Sequence, residues 1–264
     1  MRRERAPLAI GILAAAGAAF FILPLIGLVV RTPWADTAKA VTSADTLEAL
    51  RLSLVASLSA TGVALVLGVP LAWMYARIEF PGRSVLRALT TLPMVLPPVV
   101  GGIALLLAFG RRGLLGSWLE SSFGISLPFT TAGVVFAETF VAMPFLVLTV
   151  EAGLRSMDRR YEDAARTLGA KRWTIFTRVT LPLIAPSLFA GAVLCWARAL
   201  GEFGATITFA GSFPGTTQTL PLAAYSSFEG AGQVGRAITL SFILLAISVA
   251  VLVGLRDRWL IAPR

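Results

Sequence analysis

Arg198 and Glu202 stand four residues apart in one apolar stretch, and Glu138 lies in another. Four residues is about one helical turn, so the first two can pair on one face, whereas Glu138 has no local partner. Ionisable side chains at membrane depth are costly and mark functional candidates. Arg198 could lend positive potential to the path of an anion. The stronger reading is a neutralised structural pair, because a guanidinium committed to Glu202 offers little net field. Thr206 and Thr208 follow and add hydroxyl donors, as do Ser57, Ser59 and Thr61, although hydroxyls in membrane helices bond first to backbone or to a neighbouring helix. Two rival chemistries use the same residues. Glu138, Glu202 and Arg198 as an acid/base set would make an intramembrane enzyme, and proton uptake by the two glutamates would make an ion-coupled secondary transporter.

Composition excludes much else. The 264 residues contain no His and one Cys, Cys195, so His-dependent nucleophilic catalysis, an internal disulfide and a CxxC metal site are all impossible. Lys39 and Lys171 are the only lysines and neither sits in GxxxxGK[ST], so the chain lacks a phosphate-cradling loop and should not hydrolyse ATP alone. No cofactor or metal is called for. The net charge of +9 is spread between long uncharged stretches and forms no nucleic-acid patch. With 56% hydrophobic and 14% charged residues, against roughly 25% charged in a soluble domain, the chain reads as a single all-α membrane domain.

A bilayer core needs about 20 helical residues, and six apolar runs meet that length: Leu8–Val30, Leu52–Ala76, Ala88–Phe109, Ala132–Val150, Leu181–Ala210 and Ala237–Leu255. Prolines within or beside them, including Pro24, Pro70, Pro93, Pro97, Pro98, Pro144 and Pro186, predict kinks covered by neighbouring helices. Arg2, Arg3 and Arg5 before the first run resemble a signal peptide, but that run has 23 residues where a signal's apolar region has about 7–15, which predicts a retained span. With a cytoplasmic N-terminus, 16 basic residues fall inside and 6 outside, so both termini are placed in the cytoplasm of a multi-pass cell-membrane protein.

The longest inside segment, Glu151–Thr180, is too short for its own core. It predicts one short capped helix. Asp158 is placed to cap it, and Gly169 to end it in a left-handed conformation. Tyr161, Ala164, Ala165 and Leu168 recur at helical spacing and form a narrow apolar stripe. Such a helix can lie on lipid headgroups or dock a partner.

Asp163-Ala164-Ala165, three residues, Gly169, nine residues, Val179, one residue, Leu181-Pro182 resembles the EAA loop of binding-protein-dependent ABC importer permeases, E-A-A-x3-G-x9-I-x-L-P. Asp163 and Val179 depart conservatively from Glu and Ile. The stretch Arg198 to Phe209, the following Thr217-Gln218-Thr219-Leu220-Pro221, and Thr91 to Gly102 are similar to the molybdate-type permeases, with sulfate and tungstate permeases as relatives, so the likeness runs from about Ala49 to Leu255. The resemblance implies a six-helix type I importer permease. It further implies two copies of the chain, two cytoplasmic ATPases, and an external binding protein that delivers a tetrahedral oxyanion for alternating-access import. Asp163, Ala164, Ala165, Gly169, Leu181 and Pro182 would then belong to the ATPase-coupling loop, and Arg198, Glu202, Thr206 and Thr208 to the path.

Overall fold

The computed structural model describes residues 7–230 and 232–259, with the backbone alone for residues 252 and 255–259. Arg2, Arg3, Arg5 and Arg264, which enter the charge asymmetry, lie outside the described residues, and the side chains of Arg256 and Arg258 do too. The described residues are helical and contain no strand. Two compact units emerge, residues 1–47 with 223–264, and residues 48–222.

The first unit holds α1 (Leu8–Arg31), α2 (Trp34–Val41) and α13 (Val234–Trp259). α1 buries none of its side chains and is apolar on every face, as a helix surrounded by hydrocarbon must be. Trp34 packs edge-on against Phe242, with ring centroids 5.1 Å apart, and Arg236 Nη2 lies 3.4 Å from Asp45 Oδ2.

The second unit is built on α3 (Ala44–Arg77), α7 (Thr131–Ser156) and α10 (Leu181–Leu200). Ala60, Ala64 and Ala72 of α3, Ala142 and Leu146 of α7, and Cys195 and Ala199 of α10 share one buried core. Small residues let these helices approach closely, since apolar side chains gain little by leaving lipid for protein. At Gly153 the approach is tightest, because a Cβ there would lie 2.4 Å from Ser187 Oγ.

Runs one, two, four and six each become one long helix, α1, α3, α7 and α13. The third does not. α4 (Arg83–Thr91) continues through a tight turn at Leu92–Met94, and α5 (Pro98–Phe109) then leaves at 119°. Pro97 and Pro98 cannot donate to a continuing helix, so the expected straight span at Ala88–Phe109 becomes a broken one. Among the described residues, five helices are long and apolar enough to cross a bilayer, or six if the bent pair is one span. The fifth run also differs from its expected limits. It begins earlier, as α9 (Arg172–Ile175) and a π-helical turn (Phe176–Thr180) leading into α10, and it stops at Leu200, with α11 (Gly204–Ala210) standing apart. Short helices α6 (Gly116–Phe123) and α12 (Leu220–Glu229) lie in connections between the apolar runs.

Candidate functional site

α8 (Arg160–Thr167) is the expected short helix. The N-cap position is Arg159, one residue beyond the expected Asp158, and its own side chain makes no cap bond; Asp158 Oδ1 still accepts the Arg160 amide at 2.9 Å, and Glu162 and Asp163 add negative charge to the first turn, where the helix dipole favours it. Its exit is a left-handed turn: Gly169 has φ +82°, and the Ala170 amide reaches back to the Ala165 carbonyl at 3.1 Å.

The orientation of α8 inverts the usual one. Tyr161 and Leu168 are 58% and 88% exposed, and Ala164 is exposed beside them, while the polar Glu162 is buried. Burying a carboxylate costs several kcal/mol unless it is paired and hydrogen-bonded, on the order of the whole stability of a small element. Glu162 meets both conditions. Its Oε2 lies 3.2 Å from Arg77 Nε at the end of α3, and its Oε1 accepts a 2.7 Å hydrogen bond from Thr180 Oγ1, the last residue of the π-helical turn. Asp163, by contrast, is exposed and pairs only with Arg166 at 2.7 Å, a contact worth little in water. Leu181 begins α10 packed against the core, and Pro182 occupies the first turn, where the missing N–H is no loss. The anchoring role of Glu162 is invisible in periodicity, because a Glu opposite an apolar stripe reads as a solvated face.

The end of α3 is held from several sides. Arg83 and Arg155 both donate to the Tyr75 carbonyl, and Arg159 Nη2 donates to that of Ala76 at 3.2 Å. Glu151, 1% exposed, binds Arg87 Nε at 3.0 Å and Arg155 Nη2 at 2.7 Å. These contacts join α3, α4, α7 and the residue that leads into α8.

At the other candidate site, Arg198 Nη1 lies 2.6 Å from Glu202 Oε2. Glu202 Oε1 also accepts the Ala205 amide at 2.8 Å, which makes it a side-chain cap for α11. The Thr206 hydroxyl is buried without a hydrogen-bond partner, and Thr208 Oγ1 donates to the Gly204 carbonyl at 2.8 Å. α11 packs tightly on α5: a Cβ at Gly102 would stand 2.6 Å from Thr208 Cβ and 2.8 Å from the Ala205 oxygen. Glu138 is buried on α7, with Oε2 lacking a hydrogen-bond partner. In the earlier run, Thr61 bonds the Ser57 carbonyl at 2.8 Å, and Trp196 Nε1 donates to Ser57 Oγ at 3.0 Å, while Ser59 is exposed.

Residues 64–261 match the family described as binding-protein-dependent transport system inner membrane component. The chain belongs to that family. Within it, the chain is 46% identical over 247 residues to the molybdenum transport system permease protein of Mycobacterium tuberculosis, covering 93% of this chain and 92% of that one. The molybdenum permease protein of Escherichia coli is 42% identical over 213 residues, covering 81% and 92%. A sulfate transport system permease protein of Synechocystis sp. is 40% identical over 207 residues, covering 77% and 74%. The fold is also that of a solved importer: a bacterial ABC transporter involved in the import of the acidic polysaccharide alginate superposes with a TM-score of 0.71 at 20% identity, over 97% of this chain and 96% of that one. The chain is thus an all-α permease of the type I ABC importer fold.

Proposed function

We propose that this chain is the permease subunit of an ATP-driven importer of molybdate, in which two copies form the path and α8 is the helix that engages a cytoplasmic ATPase. The observation that carries this reading is the inversion of α8. A helix that buries its glutamate inward and leaves Tyr161, Ala164 and Leu168 uncovered has its apolar surface available to another molecule. Small Ala164 permits close backbone approach. An external binding protein delivers the oxyanion, and binding of ATP by the partner subunits drives the permease between inward- and outward-open states.

The two molybdenum permease relatives, at 46% and 42% identity, support molybdate over sulfate, for which the relative named above is 40% identical over a smaller share of its length. Selection rests mainly on the binding protein, because a path must be weak enough to release its ion. Arg198, Glu202, Thr206 and Thr208 lie close in sequence near that path, where Arg198 and Glu202 act first as a structural pair.

Uptake by proteoliposomes holding this chain, its ATPase and its binding protein tests the assignment. Molybdate should accumulate only with ATP inside and binding protein outside, and excess sulfate should compete poorly. Accumulation driven by a proton gradient without the ATPase would instead support a secondary transporter, and effective sulfate competition a sulfate permease.

A further inference from the structure

A cavity of about 760 Å³ opens between α8, the end of α3 and α9, on the inner side of the helix whose outer stripe was described above. Four arginines line it: Arg77, Arg159, Arg166 and Arg172. Two carboxylates face them, Glu162 and Asp163, each already committed to a partner, Arg77 and Arg166 respectively. The lining therefore carries a net charge of about +2, by four cations against two anions. Arg77 is 7% exposed in its side chain, yet its Nη2 is buried without a hydrogen-bond partner. A guanidinium donor left unmet at such depth is costly, and an anionic oxygen is the acceptor that would satisfy it. Arg172 has no ion-pair partner among the described residues and stands exposed at the mouth.

A second, apolar groove of about 240 Å³ adjoins this cavity. Trp73, Arg172 and Phe176 line both, so the polar cavity and the apolar groove share a wall. The groove is completed by Pro70 and Trp173, and Phe176 sits between the two indoles at ring-centroid distances of 6.3 Å and 5.8 Å. Tryptophans favour the boundary between headgroups and hydrocarbon, and Trp173 is 73% exposed. A cationic chamber that shares a wall with an aromatic apolar slot is complementary to a molecule with an anionic phosphate at one end and a hydrocarbon chain at the other.

We propose that the Arg77–Arg159–Arg172 chamber and its Trp73–Trp173–Phe176 groove form a binding site for one anionic phospholipid, whose phosphate is held beneath α8. The lipid phosphate meets Arg172 at the mouth, within the positive potential of Arg77, Arg159 and Arg166, and an acyl chain lies along the groove over Phe176. A lipid held there braces α8 against α3 from the inner side, leaving the outer stripe free. The site requires only that the chain resides in a membrane, and it is independent of what docks on the outer stripe.

Fluorescence quenching tests it on the full chain in phosphatidylcholine vesicles. Brominated-acyl phosphatidylglycerol is titrated in, and the Trp173 signal is taken as the difference between wild type and Trp173→Phe. Half-quenching should occur at a mole fraction at least about fivefold lower for the brominated phosphatidylglycerol than for brominated phosphatidylcholine, the preference expected from one arginine near a lipid phosphate. Arg172→Gln should abolish most of that preference while leaving the phosphatidylcholine curve unchanged, which shows that the variant is folded and inserted, and Arg172→Lys should keep part of it. Millimolar glycerol phosphate, which lacks the chain, should not relieve quenching. Identical curves for the two lipids, or an unchanged preference in Arg172→Gln, would overturn the site. Relief of quenching by glycerol phosphate would overturn the lipid as its occupant in favour of a soluble phosphate.

Discussion

Arg77, the last residue of α3, and Glu162, in the first turn of α8, form a buried ion pair with Nε and Oε2 3.2 Å apart and side chains 7% and 9% exposed. The pair ties the short helix α8 to a helix long enough to cross the bilayer. Thr180 closes the arrangement from the base of α10, so α8 is fixed both to α3 and to the helix that follows it.

Glu162→Ala leaves the Arg77 guanidinium buried and unpaired, which costs about 3–5 kcal/mol when a buried pair is broken on one side. The thermal melting temperature of the purified chain should fall. Replacing both partners, Arg77→Met with Glu162→Leu, should recover much of the loss, because apolar replacement of a whole buried pair is often neutral. A single variant as stable as wild type would show that the pair does not hold α8.

Gly102 and Gly169 resist the same substitution to Ala for different physical reasons. At Gly102 a Cβ meets Thr208 Cβ and the Ala205 oxygen at 2.6 and 2.8 Å, so α5 and α11 must part, at about 1–3 kcal/mol. At Gly169 a Cβ meets open space and only the φ of +82° resists it, at about 1–2 kcal/mol. Asn, which tolerates left-handed backbone, should therefore rescue position 169 and fail at 102. Melting temperatures of the four variants check this.

Much of this architecture is legible in the sequence. Four long helices follow from run length alone, and the left-handed Gly169 follows from a local backbone need that neighbours cannot change, whereas the N-cap falls at Arg159, one residue past the Asp158 that residue type points to. The 119° break before Pro98 was readable only as a kink, since the direction taken after a proline depends on what the next helix packs against, here α11 and α7. The gap between Leu200 and Gly204 was hidden by hydropathy, because Glu202 is neutralised by Arg198 and spent on capping α11, and such a role depends on three-dimensional pairing. Glu162 was missed for the same reason: its partner Arg77 is 85 residues away in sequence.

Glu202 serves two partners, and variants separate them. Glu202→Gln keeps an oxygen for the Ala205 amide but loses the ion pair with Arg198, whereas Glu202→Ala loses both. The alanine variant should be less stable than the glutamine variant by about 1 kcal/mol, the usual worth of a helix cap. Equal melting temperatures would show that the cap contributes nothing.

We propose that both termini face the cytoplasm, on the 16-to-6 charge asymmetry. A reporter fused after Arg264 should be active in the cytoplasm, and its activity outside the membrane would reverse the assignment.

The claim that α8 transmits ATPase state to the permease is tested most directly by ATP turnover in proteoliposomes, with and without loaded binding protein. Ala164→Trp and Ala165→Trp place a ring where close approach is required, and Gly169→Val opposes the left-handed exit. Each variant should insert at normal levels and still bind the loaded binding protein, yet show ATP turnover that no longer rises when that protein is added. A helix that merely rests on lipid headgroups would accept an interfacial Trp. Full stimulation in all three variants would contradict the account.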